Sequence, residues 1–400
     1  MQPPLSRSYR APPLWLLALI TFSGTLGMHI FVPALPFAGK DLGASIAEMQ
    51  LTVSLYILGL AFGQLIYGPL SDRFGRRSTL MIGLTLYTLS GLAAALAPQV
   101  HALIAARLFQ ALGGCAGMVL GRAIVRDTAG ADQSARRLAL LSLVTSVGPG
   151  TAPMVGGLLA STLGWRSIFY LLCLLGVVNL LCCWKLLPET RQDASSTDVR
   201  ALARNYGLLL RSPAFLGYAI GGSCSTTAGY AFIAAAPFVF VNQLHRPAYE
   251  VGLYLGILVA GASVGAGISS RLIGRVSLTH LLVRANLVSV AATLVYLAAV
   301  LSGHLSTGWI VGPLFIYMMG SGMGSPASAT KAISVNPKVI GSASGLYGFT
   351  QMLIGALCTA LVGLGHDPAL AAAVILCTTA IIGQLAYGVA NRHARNAEAF

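Results

Sequence analysis

Charged side chains are scarce in this chain. They make up 9% of its 400 residues, whereas hydrophobic residues make up 56% and the mean hydropathy is +0.77. A soluble domain carries about 25% charged residues, so the composition excludes a soluble enzyme, a secreted disulfide scaffold and a disordered chain. It indicates that most of the surface faces lipid.

The sequence patterns of metal, disulfide and nucleotide sites are also missing. The seven cysteines all lie in apolar runs, and no C-x-x-C pair occurs. These features predict neither a disulfide framework nor a zinc site, and no metal is expected. We interpret the cysteines as small packing residues. Because no G-K-S or G-K-T phosphate loop is present, we expect no ATP hydrolysis within the chain.

Apolar runs long enough to cross a bilayer, about 20 residues each, are the main feature that is present. Twelve occur, at 13–38, 46–70, 78–97, 100–122, 138–162, 166–187, 213–241, 250–270, 278–301, 308–330, 339–363 and 368–390. We interpret the first as a retained helix, since it is too long for a cleaved signal peptide. The sequence therefore predicts an all-α membrane protein with an N-terminal half (1–190), a cytoplasmic linker (191–212) and a C-terminal half (213–400).

The net charge of +14 follows from where the cations lie. With the N-terminus placed in the cytoplasm, nearly all arginines and lysines fall on the cytoplasmic side, and the outer loops keep Lys40, Arg166 and Arg246. This pattern predicts that both termini are cytoplasmic and that the cations face anionic headgroups of the lipid bilayer. Nucleic-acid binding is not needed to explain the charge, and none is expected.

The loop after the second run carries the most specific motif, GPLSDRFGRR, from Gly68 to Arg77. Asp72 can pair with Arg76 there. The motif resembles the signature between helices 2 and 3 of the major facilitator superfamily, and every fixed position matches. The resemblance implies a latch that holds two halves together on the cytoplasmic side, formed by Gly68, Asp72, Arg73, Gly75, Arg76 and Arg77.

Other segments extend the resemblance. Arg107 and Gln110 in the fourth run are similar to the R-x-x-Q motif of proton-coupled members. Pro153, Gly156 and Gly157 in the fifth run resemble the P-x-x-G-G end of the antiporter motif, where proline and glycine would bend a gate helix. With VPALP (32–36), GWRSIFY (164–170) and PET (188–190), the N-terminal half resembles the bicyclomycin/chloramphenicol-resistance (Bcr/CflA-type) drug:proton antiporters.

This resemblance implies a major facilitator fold, in which two six-helix halves surround a central cavity. It also implies a bacterial inner-membrane protein that works as a monomer and exports small amphipathic drug-like compounds by alternating access. The proton gradient would supply the energy, with no cofactor. A dedicated exporter of one endogenous metabolite, such as a siderophore or a sugar, stays open as an alternative. An enzyme is not expected, because the spans offer one mid-membrane histidine and no mid-membrane acid.

Two ionisable residues lie well inside the runs, His29 in the first and Arg107 in the fourth. Their depths from the outer ends of these runs are similar, about 10–14 Å, so we expect them to face one chamber. His29 stands where the family usually has an aspartate. We interpret it as a proton carrier, with substrate contact or a structural role as alternatives. For Arg107 we expect Gln50, Gln110, backbone carbonyls or an anionic or zwitterionic substrate as partners.

The remaining candidates for the site are polar and aromatic side chains that could line an amphipathic cavity, where aromatic and methionine surfaces suit varied ligands. Packing or lipid contact is the alternative for each. They are Tyr56, Gln64, Tyr218, Tyr230, Tyr317, Met318 and Gln351. Asp127, beside Arg126, is expected to form an ion pair at the cytoplasmic rim.

Overall fold

The computed structural model describes residues 12–129, 131–190, 199–303, 305–336 and 339–398. Within these ranges the chain forms fifteen α-helices. They are α1 (Leu14–His29), α2 (Leu35–Leu42), α3 (Ile46–Phe74), α4 (Arg76–Ala95), α5 (Val100–Thr128), α6 (Ala131–Thr162), α7 (Arg166–Leu186), α8 (Val199–Leu210), α9 (Pro213–Thr226), α10 (Gly229–Pro237), α11 (Ala248–Leu272), α12 (Leu278–Leu301), α13 (Thr307–Ser334), α14 (Ile340–Gly363) and α15 (Pro368–Glu398).

Twelve spans result when interrupted helices are joined. A 3₁₀ turn, Val32–Ala34, connects α1 to α2, and a π-helix, Phe238–Gln243, continues α10. Each predicted apolar run therefore corresponds to one span. Among the described residues, ten stretches are apolar and long enough by composition to cross a membrane. The helices α6 and α13 complete the set of twelve, and both contain internal prolines.

The predicted linker is partly helical. Residues 191–198 lie outside the described residues, whereas α8 occupies Val199–Leu210 and packs against α9 and α14. A helix here was not expected from the sequence, because α8 is short and polar on one face and so does not resemble a membrane span. The linker thus contributes a structured element next to the helix bundle.

Helix pairing divides the chain into two bundles. In the N-terminal half, α5 packs against α1, α3 and α4, and α4 packs against α7. In the C-terminal half, α13 packs against α11 and α12, and α15 packs against α9 and α12. Two long seams join the halves, α3 with α14 and α6 with α11.

Small residues allow the helices to approach closely, as they do in lipid-embedded bundles. A Cβ on Gly117 of α5 would collide with the backbone carbonyl of Ile20 in α1. A Cβ on Gly156 of α6 would likewise collide with the carbonyl of Ile30, at the end of α1. Both glycines therefore fix how near α5 and α6 come to the first helix.

The first helix of each half is interrupted at a similar depth. The helix α1 ends after 16 residues at His29, and α9 ends after 14 residues at Thr226. Pro33 lies in the 3₁₀ turn after α1, and its missing N–H prevents the α-helical hydrogen bonding from continuing. Each break leaves terminal carbonyl groups without partners in their own helix.

The two ends of the molecule differ. We call the end that carries Arg73, Arg76, Arg77 and Arg126 the arginine-rich end, and the end that carries Asp41 and Arg166 the opposite end. At the opposite end the halves are in contact, because the turn Val32–Ala34 packs against α10 and α11. At the arginine-rich end a cavity of about 400 Å³ lies between α3, α5, α8 and α14. We refer to it as the inter-half cavity.

Candidate functional site

Arg107 is fully buried in the interior of the N-terminal half. Its Nη1 donates a hydrogen bond to Oε1 of Gln110 at 2.7 Å, and its Nη2 donates to the carbonyl of Gly27 at 2.9 Å. The guanidinium carbon lies 3.9 Å from the centroid of the Tyr56 ring. A cation over an aromatic face is favourable, and more so when water is excluded.

The carbonyl of Gly27 explains how this charge is accommodated. It is one of the last four carbonyls of α1, where the helix dipole is negative and acceptors lack partners in the helix. The carbonyl end of α1 therefore provides Arg107 with the negative partner that a carboxylate would otherwise supply. Two predicted partners, Gln110 and a backbone carbonyl, are confirmed. The third, Gln50, instead packs against Gly363 at the opposite end of α3.

Further donors fix the same end of α1. The hydroxyl of Tyr56 donates to the carbonyl of Gly24 at 2.9 Å, and the hydroxyl of Tyr87 donates to the carbonyl of Ser23 at 3.2 Å. The amide of Asn179 donates to the Ser23 hydroxyl at 2.6 Å. The helices α3, α4 and α7 thus hold α1 from inside the half. Tyr56 serves this packing and does not line the inter-half cavity.

His29 lies on another side of α1. Its Nδ1 is 2.9 Å from the carbonyl of Thr25. Because a carbonyl can only accept, Nδ1 carries the hydrogen, and Nε2 of the neutral ring is left as an acceptor. The imidazole meets the ring of Tyr230 edge to face, with centroids 6.0 Å apart. Tyr230 belongs to α10, so His29 lies at the boundary between the halves.

His29 and Arg107 therefore do not share one chamber as expected. Arg107 contacts residues of its own half, whereas His29 contacts a ring of the other half. Depth along a helix can be read from the sequence, but the direction of a side chain around the axis depends on packing. His29 follows Gly27 by two residues, or about 200° around the helix.

The face of α14 continues this boundary toward the arginine-rich end. Nε2 of Gln351 donates to the Thr226 hydroxyl at 3.0 Å, and the Thr227 hydroxyl donates to the Gln351 carbonyl at 2.8 Å. Gln351 therefore bridges the break between α9 and α10. Gln64 of α3 packs against Gly348 and lines the inter-half cavity.

Three other cavity candidates pack inside the C-terminal half. The hydroxyl of Tyr218 donates to Oδ1 of Asn391 at 2.9 Å. Tyr317 and Met318 are buried beside Gly229, at the start of α10. The packing alternative therefore describes Tyr218, Tyr317 and Met318. Gln64 and Tyr230 lie where the halves meet, whereas the contacts of Gln351 are within the C-terminal half.

The predicted latch forms a network at the arginine-rich end. Asp72 pairs with Nη1 of Arg76 at 2.6 Å, as its spacing indicated. Nε of Arg76 also donates to Asp127 at 2.8 Å, so Asp127 forms an ion pair at this end as expected. Gly75, with φ +93°, makes the turn between α3 and α4. Arg73 lies over the ring of Phe74 at 5.2 Å.

Glu189 completes this network and was not singled out by the sequence analysis. Its carboxylate accepts from the backbone N–H groups of Arg76 at 2.8 Å and Arg77 at 3.2 Å, which are the first residues of α4. A carboxylate at a helix N-terminus satisfies free donors and the helix dipole. Nη2 of Arg77 donates to the carbonyl of Trp184 at 2.7 Å. These contacts all join elements of the N-terminal half, and a contact of the latch across to the other half stays a prediction.

The predicted gate helix, α6, lies between the break in the first span and the other half. Gly156 packs against Ile30, while the carbonyl of Pro153 faces Gly252 of α11. Gly157 is also buried. Pro153 and Gly156 are therefore placed where α6 contacts both partners closely.

Arg122 is a further polar residue that the sequence analysis missed. The predicted fourth run ended at residue 122, but α5 continues to Thr128. Arg122 and Arg126 are four residues apart on α5 and share a face, and both line the inter-half cavity. Their spacing was the available signal. Tyr206 of α8 lines the same cavity, and burial raises the pKa of its hydroxyl, which therefore stays a donor.

Two helical bundles around a cavity, with interrupted helices where they meet, are typical of secondary transporters. The chain belongs to the Major Facilitator Superfamily, whose family model matches residues 17–359. It is therefore a multi-pass membrane protein of a family that carries small molecules. The predictions of a twelve-helix, two-half fold and of a transporter rather than an enzyme are confirmed.

Similar proteins include several that are named for drug resistance. The chain is 33% identical over 378 residues to the uncharacterized MFS-type transporter YdgK of Bacillus subtilis, with 93% of this chain and 94% of the relative covered. It is 27% identical to a bicyclomycin resistance protein homolog of Haemophilus influenzae, covering 86% and 87%. It is 28% identical to multidrug resistance protein D of Escherichia coli, covering 84% and 85%. The predicted resemblance to Bcr/CflA-type drug transporters is thus confirmed.

A solved structure supports the same fold. The crystal structure of a D-xylose–proton symporter matches this chain with a TM-score of 0.74 at 16% identity, covering 92% of this chain and 96% of the symporter. At this identity the likeness establishes the fold.

Proposed function

We propose that this transporter exports small amphipathic drug-like compounds across the bacterial inner membrane in exchange for protons, by alternating access. The arginine-rich end would face the cytoplasm, as the distribution of cations favours. The inter-half cavity then opens toward the cytoplasm while the opposite end is closed. Drug-resistance relatives support this substrate class.

The observation that carries the proposal is the position of His29. It is a titratable group at the break in the first span, and its ring contacts Tyr230 of the other half. Its Nδ1 is held by Thr25, so Nε2 is the atom that would take up a proton. A charge added here would sit in the buried boundary between the halves, where it has no carboxylate partner among the described contacts. Protonation would therefore disfavour the closed contact between the halves.

The test is transport into proteoliposomes with an imposed pH gradient. An acidic lumen should drive accumulation of chloramphenicol or ethidium by the wild type. His29→Ala should abolish the dependence on the pH gradient, and His29→Asp should restore part of it. His101→Ala removes an exposed histidine at the start of α5 and serves as the matched control. Wild-type transport that ignores the gradient would exclude proton antiport, and full gradient-driven transport by both His29 variants would remove His29 from the mechanism.

Export of one endogenous metabolite is the second candidate. This candidate is favoured by the partners of Arg107, which are an amide and a backbone carbonyl rather than a carboxylate. Without a carboxylate beside Arg107, the proton coupling or the charge of the substrate can differ from that of drug:proton antiporters. A drug-susceptibility panel in cells that express the chain separates the two. Protection against several unrelated compounds supports multidrug export, whereas protection against one class contradicts it.

A further inference from the structure

The inter-half cavity has an excess of positive charge. Its charged lining residues are Arg76, Arg122, Arg126 and Asp72. Asp72 is bound to Arg76, which also binds Asp127. The guanidinium groups of Arg122 and Arg126 are exposed to the cavity, and no hydrogen bond or ion pair to a carboxylate holds either of them within the described part of the chain.

The elements that face these arginines from the C-terminal half and the linker, α14 and α8, bring no acid. Across the cavity, α14 contributes Gly341, Ser342, Ser344 and Gly345. In the C-terminal half (213–400) the acids are Glu250, Asp367 and Glu398, and Glu398 is the last residue of α15, a helix that contributes no lining residue to the cavity. Glu250 accepts from the Tyr254 hydroxyl, and Asp367 accepts from Gln243, both at the opposite end. Closure of the two halves around this cavity would therefore not provide Arg122 with a carboxylate from α14.

The remaining lining is suited to an amphipathic anion. Gln64, Tyr206 and the two serines supply neutral hydrogen-bond donors around the arginines. The hydroxyl of Tyr206 lies beside Gly345, so α8 closes the cavity from the linker side. Apolar walls come from Val119, Leu202 and Pro69. A volume of about 400 Å³ lies within the range of small-molecule sites.

We propose that the inter-half cavity is a binding site for amphipathic organic carboxylates, with Arg122 as the residue that binds the carboxylate. The proposal rests on the proposed transport function and deepens it by naming the substrate class. Guanidinium and carboxylate match in geometry and form strong charge-assisted hydrogen bonds. Arg126, one turn further along α5, adds attraction for the same negative charge.

The experiment measures binding by calorimetry to the full chain in phosphatidylcholine nanodiscs. The probes are 2-naphthoate and its neutral analogue 2-naphthamide, which have the same apolar body. The wild type should bind 2-naphthoate about tenfold more tightly or better, as charge-assisted hydrogen bonds allow. Arg122→Gln should remove this preference and keep the affinity for 2-naphthamide. Arg122→Lys should retain part of the preference for 2-naphthoate. Arg284→Gln, which removes an exposed arginine of α12, is the control of equal charge.

Three results would overturn the proposal. The first is equal affinity of the wild type for both probes, or a preference that survives Arg122→Gln. The second is a preference that emerges solely after Asp193→Asn and Asp198→Asn, since Arg122 would then belong to an ion pair with the linker. The third is loss of 2-naphthoate binding when phosphatidylglycerol is added to the nanodiscs, which would assign the site to a lipid headgroup.

The outcome is separable from that of the proposed function. Chloramphenicol transport by the same purified protein, reconstituted into proteoliposomes, reports drug export. Transport without a carboxylate preference would leave export standing and overturn the anion site. A carboxylate preference without any drug transport would support the anion site and contradict drug export.

Discussion

The rings of His29 and Tyr230 meet edge to face with their centroids 6.0 Å apart, although they belong to different halves of the transporter. Each lies beside the interruption of the first helix of its half, His29 as the last residue of α1 and Tyr230 in the first turn of α10. Discontinuous helices are typical of the sites at which transporters bind substrates and ions. The contact joins the two breaks, so the proposed alternating access requires the two rings to separate.

We predict that His29 and Tyr230 are energetically coupled. An edge-to-face pair contributes about 0.5–1.5 kcal/mol beyond its buried area. A double-mutant cycle of His29→Ala and Tyr230→Ala, read from unfolding in detergent, should give a coupling energy of this size. Tyr230→Phe keeps the ring and should retain the coupling. Additive single substitutions would show that the contact does not stabilise the closed end.

We predict that Arg107 cannot be replaced by lysine. Arg107 donates to Gln110 and to the Gly27 carbonyl from two nitrogens while stacking on Tyr56, and an ammonium group cannot reproduce this planar arrangement. Arg107→Lys and Arg107→Ala should both lower the thermal unfolding midpoint and reduce transport. Arg284→Gln again controls for the lost charge. Unchanged transport by both Arg107 variants would remove Arg107 from the mechanism.

Local pairs were the part of the site that the sequence could predict. Asp72 with Arg76 and Arg107 with Gln110 are four and three residues apart on one helix, so spacing alone places them together. The twelve spans were predicted from apolar length for a similar reason. The helical linker segment α8 was not, because it lacks that length.

Contacts between distant segments required the folded structure. Glu189 binds the N-terminus of α4 across 113 residues of sequence, and no local pattern marks that pair. Tyr56 and Tyr230 looked equivalent as aromatic residues within spans. The orientation of each helix about its axis places the Tyr56 ring inside its own half and the Tyr230 ring against the other half.

We predict that Glu189 stabilises the latch by capping α4. Its carboxylate satisfies two backbone donors at the helix N-terminus. Glu189→Ala should lower the free energy of unfolding by about 1–2 kcal/mol, as loss of a helix cap does. Glu189→Gln keeps an acceptor oxygen and should lose less. Equal stability of the wild type and Glu189→Ala would mean that the latch does not depend on this cap.

We predict that one added methyl group on α6 disrupts transport, whereas the same group elsewhere is tolerated. A Cβ at Gly156 would collide with the carbonyl of Ile30, and neither backbone can yield without moving α6 away from the break in the first span. Gly156→Ala should therefore lower both stability and transport, measured by thermal unfolding and by proteoliposome uptake. Gly267→Ala is the matched control, since a Cβ there has no neighbour within 4 Å.

Gly68→Ala extends this comparison to the latch. Gly68 lines the inter-half cavity, and a Cβ there also meets nothing within 4 Å. If Gly68→Ala blocks transport while leaving stability unchanged, the space beside Gly68 must be filled in another conformation, when the latch approaches α14. Normal transport by Gly68→Ala would mean that no such close approach occurs at this residue. Gly156→Ala with full transport would contradict the role of α6 as a closely packed gate helix, because the collision with Ile30 would then have been relieved without consequence.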